Sequence, residues 1–342
     1  MGAAGPIDTR TASPGFAGPP RRRGAAGGIG AMLARRAVLG VLLLFAVSAL
    51  TFLLVALIPG DPAAAILGAT ATPEQIQTLD RQLGFDQPVW EQYGQWLGHA
   101  LRGDMGTSLM SSQPVSTELG AAAVVTLALA LGSLAVSTVA GVTLGVMSAT
   151  RHGWTARAID VLSLLGLALP NFWVALVLAS VFGVSLGWLP ATGYVPFGDS
   201  PYEWLRSLVL PVAALAVAGV AGIARQTRAC VDEAMGREFV ESLWVDGLSR
   251  RRILLRHVLR NAAIPIVSTM GTMFIGILGG TVVVESAFAL PGLGRAAVQA
   301  TTQHDLPVLV ATAVFFCLGV IVVNLLTDLA YGWLDPKVKA IR

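Results

Sequence analysis

AVLGVLLLFAVSALTFLLVALIPG, residues 37–60, is a run of 24 residues without a charged side chain. As a helix rising about 1.5 Å per residue it would reach about 36 Å, enough to cross a hydrocarbon core about 30 Å thick. The pattern recurs along the chain. Residues 119–150, 208–224, 262–284 and 306–330 are further apolar runs, and 161–198 contains another. These predict six membrane spans. Asp328, near one end of the last run, is the only Asp, Glu, Lys, Arg or His inside them, and it is expected to face water. A soluble chain of 342 residues would suggest about two domains. With 54% hydrophobic and only 13% charged residues, this chain reads instead as an all-α polytopic membrane protein.

Charge placement predicts the orientation. With the N-terminus in the cytoplasm, the cytoplasmic segments hold 19 of the 23 Lys and Arg residues. Positive residues collect on the cytoplasmic side of membrane proteins, so both termini are expected there, in a multi-pass protein of the plasma or inner membrane. The net charge of +3 is then a topology signal rather than a nucleic-acid footprint. Residues 1–33, rich in Gly, Ala, Pro and Arg, predict a disordered cytoplasmic tail. A cleaved signal peptide is the competing reading, but the apolar stretch after Arg36 is too long for one. The remaining divisions are a first span over 34–60, an extracytoplasmic helical cap over 61–118, a core over 119–335 and a short cytoplasmic tail over 336–342. Cys230, expected in a cytoplasmic loop, and Cys317, inside the last span, do not suggest a disulfide.

The cap has its own signals. Thr72-Pro73-Glu74-Gln75 predicts a capping box with Pro at the first helical position, and Gly84 a stop. A second helix is expected from Pro88, with Tyr93 and Trp96 on one face. Gly103 to Gly106 should turn the chain. Seven acidic residues against two arginines make the cap negative. It suits a solvated cover, or else a docking surface for a delivery partner. Within the spans, Gly141-xxx-Gly145 and Gly276-xxx-Gly280 predict close helix approach. Pro170 and Asn171 interrupt the third span, and a kink there is a candidate for the translocation pathway.

Several chemistries lack their residues. The four histidines form no HExxH or other metal spacing, no Gly-x-Ser-x-Gly elbow occurs, and Gly106-Thr107-Ser108 reads as a turn. The two lysines, Lys337 and Lys339, are not placed for a phosphate-binding P-loop. A buried acid–base chain for proton coupling is also missing. The residues therefore predict no cofactor or metal bound by this chain. They argue against an intramembrane enzyme and against a stand-alone carrier.

One charged segment remains. VDGLSRRRILLRHVLR, residues 245–260, packs five arginines into 11 residues (250–260) between two apolar spans. Met235, Phe239 and Leu243 recur every four residues, as on an amphipathic helix. Gly247 is placed to end that helix in the left-handed conformation, and Ser249 to cap the next. The basic helix carries Ile253, Leu254 and Val258 on one side, and Pro265 lies in the span beyond. Such helices could grip anionic lipid, or project from the membrane and engage a motor.

A resemblance favours the motor. Residues 239–265, FVESLWVDGLSRRRILLRHVLRNAAIP, resemble the EAA loop of ABC importer permeases, in the form found in the dipeptide/oligopeptide (peptide/nickel) permease family, first-permease subunit. Other blocks match in the family's order: LGFDQPVWEQYGQWL (83–97), GDMGTSL (103–109), LALPNFW (167–173), GWLPATG (187–193), VVVESAFALPGLGR (282–295) and NLLTDLAYGWLDPKVK (324–339). The resemblance covers 34–342 and implies a type I ABC importer transmembrane fold with a cytoplasmic coupling helix in the loop 225–261. It implies Glu241, Ser242, Leu243, Asp246, Gly247 and Leu248 as the ATPase-coupling residues, supported by Arg250, Arg256, Arg260 and Asn261. It also implies a second homologous permease, two cytoplasmic ATPases that bind ATP and Mg, and an extracytoplasmic solute-binding protein. Ser242 and Leu243 stand where the family pattern has small residues, and Asp246 where this subfamily is usually basic, which points to a dedicated ATPase. The implied cargo is a di- or oligopeptide; relatives of these permeases also carry nickel chelates, glutathione or certain sugars.

Overall fold

The computed structural model describes residues 26–57, 62–68, 70–151 and 153–334. Among these, regular structure is helical apart from an isolated bridge between Thr107 and Pro114. Helix α1 (Ala26–Ala56) is followed by three short helices, α2 (Pro62–Leu67), α3 (Pro73–Leu83) and α4 (Val89–Ala100). Then come α5 (Val115–Thr150), α6 (Trp154–Ala168), α7 (Asn171–Leu178) and α8 (Pro201–Met235). The second half holds α9 (Glu238–Val245), α10 (Arg250–Arg252), α11 (Leu259–Ala287), α12 (Leu293–Gln303) and α13 (Leu306–Leu334). Five helices are long and apolar enough to cross a membrane, and a sixth span exists if α6 and α7 are counted as one broken crossing.

The third span is not the kinked rod expected. α6 and the helix that follows Pro170 meet at 103°. Leu169 is extended (φ −78°, ψ 128°), as the residue before a proline prefers, and so is Pro170 (φ −66°, ψ 136°). The Pro170 carbonyl then accepts from Trp173 and Val174 N–H and starts α7. A π-helical turn, Ala179–Ser185, continues it.

Other boundaries also move. α1 begins at Ala26, inside the segment expected to be a tail, because extending an existing helix costs far less than nucleating one; residues 1–25 and the expected tail 336–342 lie outside the described residues. α8 runs through Arg225–Met235, so that part of the expected loop 225–261, Cys230 included, is helix. Asp328 does not simply face water. Both its oxygens meet Arg36 of α1, at 2.7 and 3.0 Å, and its side chain is 15% exposed. That pair joins α1 to α13, which pack along each other.

The centre of the fold is the contact between α5 and α8, with α11 and α6 against α8. Leu129, Ala214, Leu215, Phe274 and Phe288 lie in the main apolar core. The α5–α8 seam is made of small residues. A Cβ on Gly145 would sit 2.5 Å from the Ala224 carbonyl oxygen and 2.6 Å from Thr227 Cβ; one on Gly141 would sit 2.8 Å from Ile223. Across the same seam Ser133 and Ser137 donate to the carbonyls of Val212 (3.3 Å) and Ala216 (3.2 Å). The second glycine pair behaves differently. Gly280 is notched against Asn171 and Leu215, whereas Gly276 has nothing within 4 Å of a built Cβ.

In the cap, Thr72 forms the capping box with Gln75, and Gly84 ends α3 at φ 76°. Tyr93 and Trp96 of α4 pack edge-on and tilted against Phe45 and Phe52 of α1, and Tyr93 shares a 2.9 Å hydrogen bond with Ser48. Ser108 donates to Asp305 at 2.5 Å, which ties the turn before α5 to the start of α13.

The two glycine motifs therefore give a paired test. Gly145→Ala should destabilise the chain by about 1–3 kcal/mol through overpacking, read as a lower thermal midpoint in detergent. Gly276→Ala should leave the midpoint unchanged or slightly raised. Equal shifts would contradict the packing described.

Candidate functional site

α9 lies beyond the end of α8, with one face fixed and the other open. Val240 is 1% exposed. It packs with Val231 and Ala234 of α8, Ile253 and Val258, and Phe239, Leu243, Leu248 and Met235 close around them. The four-residue stripe expected from Met235 through Leu243 is thus not one helix. α8 stops at Met235, Gly236 and Arg237 change direction, and the three side chains converge on the same cluster. Arg237 pairs with Glu233 at 2.6 Å across that corner.

The far end of α9 is closed as a Schellman turn. Gly247 has φ 79°, its N–H donates to the Trp244 carbonyl (3.0 Å), and the Leu248 N–H donates to the Leu243 carbonyl (3.1 Å). No atom approaches within 4 Å of a Cβ built on Gly247. Glycine is needed there for its backbone angle, not for room. Ser249 occupies the cap position of the next helix, but its side chain makes no capping bond; its carbonyl accepts from Arg252 and Ile253 instead.

From Arg250 the chain is helical without interruption to Ala287, as α10, a π-helical turn (Ile253–Val258) and α11. The basic helix is therefore the end of the fifth long helix, not a separate piece. Ile253 and Val258 are fully buried, while Arg250, Arg256, Arg260 and Asn261 are exposed. α9 thus rests on the ends of two long helices at once.

Its open face carries Glu241, Ser242 and Asp246, all exposed. Two residues not singled out from the sequence dominate it: Trp244, 53% exposed, and Val245, 88% exposed. The available signal was register, because both fall off the four-residue stripe of Phe239 and Leu243. Nearby, Arg228 of α8 bonds Asp160 of α6, which also accepts from Ser148 of α5 at 3.0 Å. These side chains bind three helices together beside the base of α9.

Pro170 and Asn171 lie elsewhere. Asn171 is half-buried and its amide fills the notch at Gly280 of α11, while Pro170 is exposed at the bend. At the end of the bundle opposite α9, the structure reveals an acidic side chain that the sequence placed just outside a span. Glu285 is fully buried at the end of α11. Thr126 donates to one of its oxygens (2.7 Å) and the Arg295 N–H to the other (3.0 Å), while Thr126 itself accepts from the Leu293 N–H (2.8 Å). Together these two side chains cap α12, whose own cap residue, Gly292, has no side chain. A Cβ at Gly292 would collide with the Glu285 carboxylate.

This architecture, long helices around a small-residue seam with a short, socketed helix at one end, is that of an importer's membrane subunit. The chain belongs to the family of binding-protein-dependent transport system inner membrane components: the family model matches residues 141–340, and the model of the N-terminal part of such components matches 30–126. It is 40% identical over 310 residues, 90% of this chain and 99% of the relative, to a Brucella abortus protein that carries the name of a peptide transport system permease. It is 36% identical over 297 residues (86% and 94%) to the glutathione transport system permease protein GsiC of Escherichia coli K12. The fold is similar to that of the inward-facing MetNI methionine ABC transporter, with a TM-score of 0.52 at 18% identity over 66% of this chain and 96% of the other. The chain is a permease subunit of an ABC importer.

Gly247 separates a backbone requirement from a packing one. Gly247→Val should abolish uptake while the complex still reaches the membrane. Gly247→Asn should retain much of it, because Asn tolerates the left-handed region better than other residues with a side chain. Normal uptake by the valine variant, measured with radiolabelled substrate in intact cells, would contradict a requirement for this turn.

Proposed function

We propose that this chain forms half of a translocation pathway for di- and oligopeptides, with α9 as the helix through which ATP hydrolysis elsewhere drives the gate. Both termini lie in the cytoplasm in this reading, so α9 faces the cytoplasm and α3, α4 and α12 the outside. The observation that carries it is the two-sided construction of α9. Trp244 and Val245 are exposed beyond a face that is locked onto α8 and the α10–α11 helix. An exposed Trp beside a nearly bare Val suits a protein pocket, since large apolar side chains in a desolvated pocket dominate binding energies.

The partners are a second homologous permease, two ATPase subunits that supply ATP and Mg, and an extracytoplasmic solute-binding protein that delivers cargo. Glu241, Ser242, Leu243, Asp246, Gly247 and Leu248 form the coupling element. Arg250, Arg256, Arg260 and Asn261 face the solvent or lipid headgroups around it. When ATP closes the ATPase dimer, α9 moves with it. Its fixed face transmits that displacement to α8 and α11, which border the bundle centre. The motor biases the gate only because it holds α9 differently in its two states. The bend at Pro170–Asn171 abuts α11 and is the proposed pathway element within the membrane. Peptide as cargo is supported by the names of the relatives, and the resemblance to the glutathione permease extends the class to peptide-like solutes.

Affinity purification of this chain from its own membranes in mild detergent should recover a second permease and two ATPase chains in stoichiometric amounts, identified by mass spectrometry. Trp244→Glu should release the ATPases and keep the second permease. Recovery of the chain without any ATPase across several detergents would overturn the coupling role.

A further inference from the structure

At the end of the bundle opposite α9 lies an open cavity of about 970 Å³. Three elements wall it: the first turns of α5 with Glu118, the segment before α8 with Tyr194 and Phe197 together with Trp204, and the start of α12 with Arg295. Its volume is at the top of the range of about 300–1,000 Å³ for small-molecule sites. Each wall is held in place by contacts already formed. Phe197 packs edge-on against Trp204 at 5.3 Å, and Tyr194 and Trp204 lean on the main core. The Gly193 N–H donates to the Phe288 carbonyl (2.9 Å), and α12 is fixed through Glu285 and Thr126.

The charges are the informative part. Among the lining residues Arg295 is the single cation and Glu118 the single anion. They do not pair with one another. Glu118 accepts from Ser111 (3.1 Å), and Arg295, a half-buried residue, meets no carboxylate with its guanidinium among the described residues. Arg206, at the same end, is by contrast already used by Glu203, the Trp188 carbonyl and the Tyr202 ring. A cavity with aromatic walls, one free guanidinium and one carboxylate matches a short zwitterionic peptide. The planar fork of arginine suits a terminal carboxylate. Glu118 suits the ammonium, and aromatic and proline surface accepts side chains with little discrimination.

We propose that this cavity is a peptide-binding site on the permease itself, in which Arg295 takes the C-terminal carboxylate and Glu118 the N-terminal ammonium of a peptide arriving from the binding protein. The assignment rests on the peptide reading above. It adds selection by the membrane subunit to selection by the binding protein: the permease checks for free termini and tolerates varied side chains.

The test uses the assembled complex in two stages. Uptake of radiolabelled dialanine and trialanine is first measured in proteoliposomes that contain the complex and its binding protein. If neither is taken up, the peptide reading fails and the proposal falls with it. If either is taken up, a radiolabelled tripeptide with a central photoreactive benzoylphenylalanine is applied to the purified complex without binding protein, and the labelled segments are mapped. Label is expected within residues 194–204 and 291–299. Excess trialanine should compete for it, and trialanine amide and N-acetyl-trialanine should compete about ten-fold less well. Arg295→Gln should remove the preference for the free over the amidated competitor, and Arg295→Lys should partly restore it. Glu118→Gln should remove only the preference for the free over the acetylated one. These preferences are ratios within one variant, so a lower yield of folded complex does not mimic them. Label elsewhere, label only on the second permease, or unchanged preferences in Arg295→Gln would overturn the site while leaving peptide transport intact.

Discussion

The close approach of α5 and α8 is the constraint on which the remaining arrangement depends. Lipid tails are as apolar as the helix surfaces, so burial alone does not drive helices together inside a membrane; tight packing and interhelical hydrogen bonds do. Gly141 and Gly145 bring the α5 backbone against Ile223, Ala224 and Thr227, and Ser133 and Ser137 bond across to α8 carbonyls. α6, α7 and α11 then pack on α8. Because α8 is 35 residues long, about 52 Å as a helix, it exceeds the hydrocarbon thickness. One helix therefore reaches from the wall of the cavity at Trp204 to the support of α9 at Val231 and Ala234.

The two ends solve different problems with the same economy of parts. At the α9 end, a short helix gains a fixed position by burying one apolar face and closing on a glycine with positive φ. At the other end, α12 gains its position from a buried carboxylate. A buried carboxylate is costly unless hydrogen-bonded. Glu285 receives the Thr126 hydroxyl and a helix N-terminal N–H, where negative charge is favoured. Gly292 leaves the space into which that carboxylate fits.

The sequence exposes those features that have local causes. Apolar runs report spans because lipid tolerates only helices with their backbone satisfied. Gly247 and Gly84 are legible as helix ends because few other residues adopt positive φ. The capping box at Thr72 is read from four neighbouring residues. Features with distant causes stay hidden. Pro170 marks a break, but the 103° angle depends on α7 packing against α8 and α11. Glu285 sits one residue past an apolar run, and only the fold shows that Thr126 and α12 enclose it. The cavity draws on three segments, 118–125, 194–204 and 291–299, and no spacing rule joins them. Trp244 and Val245 were visible as letters, yet their exposure follows from which face of α9 the cluster around Val240 takes.

The ion pair of Arg36 with Asp328 has a consequence for biogenesis. α1 packs chiefly along α13, with a smaller contact to α4. Of the described spans, α1 is the earliest to leave the ribosome and α13 the latest. The first helix therefore waits through synthesis of the whole bundle before its main partner exists, and its arginine stays without its carboxylate for that interval. A chain halted before Asp328 lacks this ion pair, so α1 gains its main described contact only once α13 has been made.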